Sequence, residues 1–399
     1  MEKKVLIISC AESNALCIAR SFGLNNIHTE LLFVSDRAGA SGLVEKSEII
    51  KNTVQLKKDE SVIIDYLVKL GEKELKEWVL FPTDDYCAFV VDNNKQKLQK
   101  YFYFSFIEDG SVVEFMDKSI QAKTAKKCGL ATANEWIVHT AGNSTVIPEN
   151  MEFPCFYKPI MSVKDVKSGI RVFKEKDEFD SWIKARKPGE DILIQEFLDI
   201  KFEYDLSGVT NGKEVYIPAV IKKDMVSKVV PGVTLAGHLE PVSVLKDELE
   251  KIKKFIIESR YVGMFDFELF VTTKGIYFGD YNMRCGAPSY IYELAGFPLP
   301  YIASEMICDE GHNIKIGDVI CESGYSFYNG YHSVREVIRG NMTVAELQNL
   351  ERNCDYDIFS SKDDPRPNDI FNAAFRKNIR MKRLEFRVKK FIKRMIGRA

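Results

Sequence analysis

The first third of the chain alternates short apolar runs with amphipathic segments of helical period. The apolar runs are KVLIIS, ELLFVSD and WVLFPTDD, and the helical segments between them are SNALCIARSF and SVIIDYLVKLGEKEL. Strands that alternate with helices in this order form a parallel sheet with helical crossovers. The pattern therefore predicts an N-terminal α/β lobe, which we place at residues 1–115.

Two features of this lobe indicate which kinds of ligand it could bind. No GxGxxG motif follows the first strand, where a dinucleotide fingerprint would lie, so a nicotinamide enzyme is disfavoured. The acidic pair Asp84 and Asp85 follows the run WVLFP, at the edge where open α/β sheets place ligand loops. Acidic residues are also common in ordinary turns, so a loop without a ligand is the default interpretation.

The pattern changes after about residue 116. A helical stretch, KSIQAKTAKKCGL, is followed by the strand-like segment EWIVH. Residues 153–222 then alternate β and turn signals around one helical segment, and TNGK within them is a strong hairpin signal. This part of the chain predicts an antiparallel sheet with helices on one face.

Composition narrows the class of protein. The chain is 45% hydrophobic and 29% charged, which is typical of soluble globular proteins, and it has no apolar run of about 18 residues. The run KVLIIS is too short for the core of a signal peptide, so we expect a cytoplasmic protein. Nine cysteines without a CxxC pair argue against a zinc site or a disulfide framework, and we expect them to be reduced and mostly buried.

Charge is distributed unevenly. Residues 376–399 hold eleven Lys or Arg against the single acid Glu385, so a net charge of -2 leaves the first 375 residues at about -12. An acidic body does not favour specific nucleic-acid binding. Within the tail, apolar residues recur at helical spacing between 384 and 396, which predicts a basic amphipathic helix. It could lie on an anionic membrane surface, dock on the acidic body or on a partner, or bind nucleic acid.

The predicted hairpin 263–284 carries the clearest chemical signal. Alternate side chains of a strand share a face, so Asp266 and Glu268 point the same way, as do Asp280 and Asn282. A turn centred near residue 274 would place 268 opposite 280 and 266 opposite 282. Four oxygen-bearing side chains would then lie on one face.

Such a face is unfavourable without a cation, because like charges directly opposite each other destabilise a sheet. Carboxylate and amide oxygens without His or Cys suit Mg²⁺, which binds one or two carboxylates and completes its shell with phosphates. The alternative is a solvated polar face on an edge strand. The apolar residues that flank the acids favour a half-buried sheet and therefore the cation site.

Three basic residues are placed to bind phosphate. Lys158 lies in the apolar run PCFYKPI, where a charge needs a partner, and Lys118 begins a helix, whose N-terminus favours anions. Arg284 lies two residues beyond Asn282 and could offer a bidentate fork to phosphate or carboxylate. For each, simple surface solvation is an equal alternative. No GxxxxGK[ST], GxSxG or HExxH motif occurs.

The ordered set of motifs resembles the ATP-grasp superfamily over about residues 1 to 310. The motifs are MDK, YKP, IQEFL, FDFELF and GDYNMR, in that order after an α/β lobe. The chain looks most similar to carboxylate-amine ligases of the D-aspartate ligase type, with biotin carboxylase and carbamoyl phosphate synthetase as more distant relatives. The resemblance implies an α/β and α+β fold, in which a parallel lobe precedes a two-lobed ATP-grasp domain with antiparallel sheets. We place that domain at 116–312, a C-terminal extension at 313–365 and the basic tail at 366–399. The Pro- and Asp-rich segment SSKDDPRPND, at 360–369, predicts a linker.

The resemblance also implies roles for individual residues. Lys118 and Lys158 match the lysines that hold ATP phosphates, and Glu203 matches the acid that binds ribose. The hinge that faces adenine matches Gln195, Glu196, Phe197 and Leu198. The ligands of Mg²⁺, or of Mn²⁺ in its place, match Glu268, Asp280 and Asn282. The arginine beside the transferred phosphate matches Arg284.

Some positions depart from the family pattern. The loop 160–169, which covers phosphates in the family, has one glycine, and Asp280 stands where glutamate is more common. Lys222 takes the place of a further active-site lysine, with Lys223 and Lys228 as competitors. Candidates for binding a substrate carboxylate are Ser289 and Tyr290, for which a simple helix start is the alternative.

The resulting hypothesis is an ADP-forming ligase that uses Mg-ATP to phosphorylate a carboxylate, which an amine then attacks. Its partners would be a small-molecule carboxylate and amine, and the basic tail would suit work on a cell-envelope or polysaccharide precursor at the inner membrane surface. An ATP-binding protein without turnover, or a carboxylase or kinase with the same nucleotide site, is the alternative. A homo-oligomer is compatible with the sequence.

Overall fold

The computed structural model describes residues 3–107, 110–158, 171–228, 230, 232–308, 319–322, 324–375 and 377–378. The loop 160–169 and the segment 379–399, for which the sequence led to predictions, lie outside the described residues. The same holds for the side chain of Lys158.

The N-terminal lobe is a parallel sheet with helices between its strands. Its strands are β1 (Lys4–Ser9), β2 (Thr29–Val34), β3 (Ile50–Leu56), β4 (Trp78–Pro82) and β5 (Phe102–Phe104), and its helices are α1 (Glu12–Leu24), α2 (Glu60–Lys73), α3 (Asp85–Asn93) and α4 (Lys95–Leu98). The strand order is β3-β2-β1-β4-β5. The prediction of a parallel sheet is confirmed. Strand β3 was not predicted, because this half-exposed edge strand lacks an apolar run.

A small antiparallel sheet follows the first lobe. The elements in this region are β6 (Phe106–Ile107), α5 (Val112–Phe115), α6 (Lys118–Lys127), β7 (Glu135–His139), β8 (Cys155–Lys158), β9 (Arg171–Phe173), α7 (Lys176–Lys184) and β10 (Asp191–Glu196). The sheet has the order β7-β10-β8-β9. Helix α7 buries Phe179 and Ile183 against it, as predicted for an antiparallel sheet with a helix on one face. The strands of residues 200–222, which were predicted in the same sheet, belong to the large sheet instead.

A large sheet forms the centre of the molecule. Its elements and those around it are β11 (Ile200–Asn211), β12 (Val215–Tyr216), β13 (Val220–Val226), β14 (Thr234–Glu240), α8 (Glu248–Glu258), β15 (Tyr261–Thr272), β16 (Gly275–Asn282), α9 (Tyr290–Leu294), α10 (Leu299–Cys308), β17 (Ser326–Tyr328), α11 (Gly330–Arg339), α12 (Val344–Asn353) and β18 (Tyr356–Asp357). The strand order is β16-β15-β11-β13-β14-β17-β18, with β12 paired to β11 and β6 paired to β15. The TNGK hairpin is confirmed, because Thr210 pairs with Val215 around Gly212, whose φ of 82° favours glycine.

The two faces of this sheet differ. On one face, α8 packs aromatic and aliphatic side chains against the sheet, and the Phe255 and Phe267 ring centroids lie 5.4 Å apart. Because side chains alternate along a strand, the neighbours Asp266 and Glu268 of Phe267 point to the opposite face. That face carries the polar residues described below.

The proline-rich segment near residue 365 is anchored to the first lobe. The sequence predicted a linker at 360–369, but Asp364 is fully buried and accepts a hydrogen bond of 3.0 Å from Nε of Arg20. Ser47 donates a further hydrogen bond of 3.0 Å to the same carboxylate. A helix covers 366–375. The linker interpretation was therefore wrong, because a buried arginine requires this carboxylate as its partner.

Two expectations from composition can be compared with the structure. All nine cysteines are free, and most of them are buried, as expected. Among the described residues, no helix combines the length and the apolar character that spanning a membrane requires.

Candidate active site

The β15–β16 hairpin brings the predicted oxygen ligands together. Asp266 pairs with Asn282 and Glu268 with Asp280, so the predicted register is confirmed. The pairing depends on a bulge at Gly279, because Leu269 pairs with Phe278 on the turn side of it. Without this extra residue, the side chains beyond it would point to the other face.

Strands β11 and β13 extend the polar face. Asp205 lies opposite Glu268, and Glu203 lies opposite Lys223 on β13. Nζ of Lys223 lies 3.0 Å from Glu203, 3.4 Å from Glu268 and 3.7 Å from Asp205, and the side chain is only 1% exposed. Burial opposes protonation of Lys223, but the carboxylates of Glu268, Asp205 and Glu203 outweigh it and raise its pKa well above the ordinary value. The lysine is therefore a fixed cation among three acids.

Asp205 and Asp266 form a buried carboxylate pair. Each is 3% exposed, and Oδ1 of each accepts no hydrogen bond from a described donor. Burial raises the pKa of both groups, most strongly that of Asp266, whose carboxyl also faces the negative charge of Asp205. Asn282 donates to the other oxygen of Asp266 at 3.3 Å.

Helix α6 places Lys118 beside the hairpin. Its N-cap Asp117 accepts hydrogen bonds from two backbone amides of the first turn. The amide of Gln121 bonds to both the N–H and the C=O of Tyr281, at 3.2 and 2.8 Å, and so joins the helix to β16. Lys118 is thereby buried and forms an ion pair with Asp280.

Arg284 connects the hairpin to the N-terminal lobe. Its Nε donates to Oδ1 of Asp85 at 2.7 Å, and its Nη1 donates to the carbonyl of Cys285 at 3.0 Å. Burial opposes the charge, but Asp85 and Asp266 raise the pKa of Arg284 above its ordinary value. Burial likewise opposes ionisation of Asp85, and the neighbouring cations of Arg284 and Lys118 lower the pKa of that carboxyl. Nη2 of Arg284 has no hydrogen-bond partner among the described residues and remains available to a ligand.

A cleft of about 730 Å³ runs between these elements. Its acidic lining consists of Asp85, Asp205, Asp266, Glu268 and Asp280. Asn282 and Arg284 lie beside them. Further lining comes from the start of α1, the loop after β2 and the start of α11, through Ser13, Asn14, Arg37, Tyr331, His332 and Arg335. The cleft therefore joins the large sheet to the N-terminal lobe.

Three predicted residues need correction. Lys223 faces Glu203, Asp205 and Glu268, so its neighbour Lys222 points to the other face. Nζ of Lys222 lies 3.7 Å from Glu240 and over the ring of Phe202. Ser289 is buried and its hydroxyl donates to the carbonyl of Gly286 at 2.7 Å. Tyr290 is 2% exposed within the apolar core. Neither hydroxyl lines the cleft.

The predicted hinge and the second lysine are not brought into this cleft by described contacts. Gln195 and Glu196 end β10, Phe197 is 46% exposed, and Leu198 leads into β11. Glu196 accepts a hydrogen bond from the N–H of Asn134 at 3.2 Å. Lys158 ends β8, and its side chain lies outside the described residues. The roles that the resemblance implies for these residues remain predictions.

Sequence reasoning missed several residues of the cleft. Asp205 has a detectable signal, because it alternates with Glu203 along one strand. Arg37 and the residues of α11 have no signal, since they are distant in sequence from the hairpin and reach it only through tertiary packing. Asp85 was considered as a ligand-loop residue, with an ordinary turn as the default, and the structure gives it Arg284 as a partner.

The residues present fit a hard divalent cation. The donors are carboxylate and amide oxygens, and Asp205, Asp266 and Glu268 offer oxygens within 4.8 Å of one another. The buried Oδ1 atoms without a donor are available for such an ion. The adjacent cations Lys118 and Arg284 suit an anionic ligand of the metal, such as a phosphate group.

Known proteins resemble the chain in sequence and in fold. Formate-dependent phosphoribosylglycinamide formyltransferase from Wolinella succinogenes is 24% identical over 173 residues, which cover 42% of this chain and 43% of that protein. The chain thus matches less than half of this relative's length. None of the protein-family models matches the chain.

Two solved structures extend the likeness over most of the chain. The biotin carboxylase domain of Hydrogenobacter thermophilus 2-oxoglutarate carboxylase, in complex with MgADP, ADP and bicarbonate, covers 81% of this chain and 73% of its own, with 16% identity and a TM-score of 0.61. L-amino acid ligase from Bacillus licheniformis covers 79% and 77%, with 13% identity and a TM-score of 0.56. Both are ATP-grasp proteins. The fold that the motif order implied is confirmed, and the chain has the ATP-grasp fold.

Proposed function

We propose that this protein is an ADP-forming ligase that phosphorylates a small-molecule carboxylate with Mg-ATP and joins it to an amine. One observation carries the proposal: Glu268, Asp280 and Asn282 share one face with two adjacent cations, Lys118 and Arg284. Acyl phosphate formation needs this combination, because oxygen ligands hold the metal and the cations balance phosphate charge.

The relatives support the same reaction class. The formyltransferase is formate-dependent, the amino acid ligase acts on L-amino acids, and the biotin carboxylase domain was solved with MgADP and bicarbonate. Formate is a small carboxylate, and bicarbonate is a small anion that resembles one. The substrate of the present chain is therefore a small molecule in this proposal.

The chain's own residues have distinct tasks in this reaction. Glu268, Asp280 and Asn282 would hold the metal, which when bound neutralises and polarises the phosphates of ATP. Lys118, which pairs with Asp280, would bind phosphate oxygens at the start of α6, where the helix N-terminus favours anions. Nη2 of Arg284 donates to the developing acyl phosphate, while Asp85 holds Nε. The amine then displaces phosphate without a covalent enzyme intermediate.

ADP release in the presence of acid and amine panels tests the proposal directly. We expect Mg²⁺-dependent ADP formation to rise when a matched pair is added, and to fall by about a hundredfold or more in Glu268→Gln, because a metal ligand is lost. Glu250→Gln is the matched control, since Glu250 is exposed on α8 and lies outside the cleft. ATP binding without ADP release for any pair would contradict ligase activity.

A carboxylase is the second candidate. The similarity to a biotin carboxylase domain solved with bicarbonate favours it, because bicarbonate can replace an organic carboxylate as the phosphorylated group. Bicarbonate-dependent ADP release without an added acid would favour this candidate over the ligase. A stable phosphorylated product would instead indicate a kinase.

Three further parts of the proposal concern where the protein acts and what it assembles with. Cytoplasmic location, homo-oligomer formation and contact of the basic tail with the inner membrane surface remain part of the proposal. The dimer of the biotin carboxylase domain gives a precedent for an oligomer. Vesicle sedimentation with anionic and neutral lipids tests the membrane contact.

A further inference from the structure

The walls of the cleft differ in charge. The carboxylates come from the sheet strands β11, β15 and β16 and from the start of α3. The opposing bases Arg37 and Arg335 come from the loop after β2 and from α11. An acidic wall suits a metal, whereas the basic wall needs a different ligand.

Arg335 is presented to the cleft in an ordered way. Its guanidinium lies 5.3 Å from the ring centroid of Tyr331, one helical turn earlier, and Nη1 approaches the Tyr331 hydroxyl at 3.5 Å. No carboxylate among the described residues forms a salt bridge with it. The adjacent carboxylate of Glu336 is buried and bonds to Ser227 and Asn341 instead. A stacked guanidinium keeps its planar fork free for an incoming anion.

Other residues that line the cleft add hydrogen-bond donors to Arg335. His332 lies one turn earlier on the same face of α11 and lines the cleft. Arg37, on the other side, also has no described acidic partner and lines the cleft. The first turn of α1 contributes Ser13 and Asn14, and the N-cap Ala11 provides no side-chain acceptor for the helix amides. Each of these groups is a hydrogen-bond donor or can serve as one, and all of them line the same cleft.

The anions of the ATP site do not account for this wall. Lys118 and Nη2 of Arg284 are already placed for phosphate on the sheet side. We propose that the cleft between α11, the loop after β2 and the start of α1 binds an anionic group that the substrate carries in addition to its reacting group. The substrate is then a small carboxylate or amine with a second carboxylate or a phosphate, and Arg335 selects it. This inference rests on the proposed function.

Binding of simple anions provides the first test. Malonate and inorganic phosphate serve as probes at millimolar concentration, and thermal unfolding of the full chain measures their binding. We expect both to raise Tm in the wild type, and the increase to be clearly smaller in Arg335→Gln, in which the sheet-side cations Lys118 and Arg284 remain. Arg339→Gln on the same helix is the matched control, because Arg339 is exposed and does not line the cleft. An equal increase in all three proteins would overturn the proposal.

Turnover provides the second test and separates the two sources of charge. ADP release is measured with a charged series, aspartate, glutamate and phosphoserine, and with an uncharged series, asparagine, glutamine and serine. Each compound is tested both as the carboxylate substrate and as the amine substrate. We expect a charged member to be preferred by about tenfold or more, the effect of one charge-assisted hydrogen-bond pair. Arg335→Gln should raise KM for that member by a similar factor, leave KM for ATP unchanged and be partly rescued by Arg335→Lys.

The outcomes distinguish this inference from the proposed function. Equal use of charged and uncharged members would overturn the anion site while ligase activity stands. If no member stimulates ADP release although ATP binds, the ligase proposal fails, and the malonate and phosphate arm then decides on the anion site alone. Preference for phosphoserine over aspartate and glutamate would assign the anion as phosphate, and the reverse order would assign it as carboxylate.

Discussion

Nζ of Lys223 lies 3.4 Å from the carboxylate of Glu268, so a buried lysine contacts the acid that the hairpin offers to a metal. The same ammonium lies 3.0 Å from Glu203, the residue that matches a ribose-binding acid. One fixed cation thus contacts both the proposed metal ligand Glu268 and Glu203, for which the resemblance implies ribose binding. It also neutralises part of the acidic cluster before any metal binds.

Replacing this lysine should change both stability and metal binding. We expect Lys223→Met to lower the free energy of unfolding by about 3 kcal/mol, because buried carboxylates lose their counter-charge. Without nucleotide, the variant should bind Mn²⁺ more tightly, since the cluster becomes more negative. Urea unfolding and Mn²⁺ titration by electron paramagnetic resonance measure these effects. Lys222→Met, on the neighbouring and partly exposed residue, should change stability by less than about 1 kcal/mol.

Asp85 should position Arg284. In Asp85→Asn the hydrogen bond to Nε can persist but the charge is lost, so we expect kcat to fall by at least about tenfold with KM for ATP little changed. The folded-state pKa of Asp85 is lowered. Its contribution to stability is therefore present above the unfolded-state pKa and is lost as pH falls through the folded value.

The free energy of unfolding at acid pH reports on the pair of Asp85 and Arg284. Asp85→Asn should flatten the loss of stability below about pH 4, where Asp85 of the wild type becomes protonated. Asp65→Asn, an exposed position on α2, should leave the profile unchanged. An unaltered kcat in Asp85→Asn would show that Arg284 needs no help from the N-terminal lobe.

His332 should make the protein sensitive to mild acid. Burial, together with the charge of Arg335, lowers its pKa to about 4, so the imidazole is neutral in the folded protein at pH 7. Between about pH 4 and 6.5 the unfolded chain binds the extra proton, so stability falls as pH falls through this window. The full effect is up to about 3 kcal/mol.

Chemical denaturation at a series of pH values measures this effect. His332→Gln should remove most of the slope between pH 4 and 6.5, because glutamine does not titrate. His28→Gln serves as the control, since His28 lies on the surface beside Glu30. A wild-type slope in His332→Gln would assign the acid sensitivity to other groups.

The buried pair of Arg20 and Asp364 should hold the C-terminal segment on the first lobe. Both side chains are fully buried, so Asp364→Asn leaves an arginine without its counter-charge. We expect a loss of about 3 kcal/mol or more in the free energy of unfolding and faster proteolysis near residue 365. Asp363→Asn, at the exposed neighbouring position, should have little effect. Equal stability of the two variants would contradict an anchoring role.

Local sequence was sufficient for the elements whose signal is periodic. The apolar runs of the first lobe and the alternation of Asp266 and Glu268 each depend on residues close in the chain, and the structure confirms both. The pairing of Glu268 with Asp280 was also predicted, although the bulge at Gly279 that produces it was not. Strand periodicity of two makes such a face readable from sequence alone.

The tertiary structure decided which candidates reach the cleft. Lys222 and Lys223 are adjacent and chemically identical, and only the pairing of β13 with Glu203 on β11 turns Lys223 toward the acids. Asp85 and Arg335 lie far from the hairpin in sequence, and packing of the N-terminal lobe and α11 brings them to it.

The sequence by itself thus determined the oxygen-rich hairpin, the parallel first lobe and the lysine at the start of α6, because these follow from local periodicity and helix capping. Strand register decided which lysine is buried among the acids. Packing between the lobes decided that Asp85 is the partner of Arg284 and that Arg37 and Arg335 form the basic wall. These depend on contacts between distant segments, whose free energy no local pattern encodes.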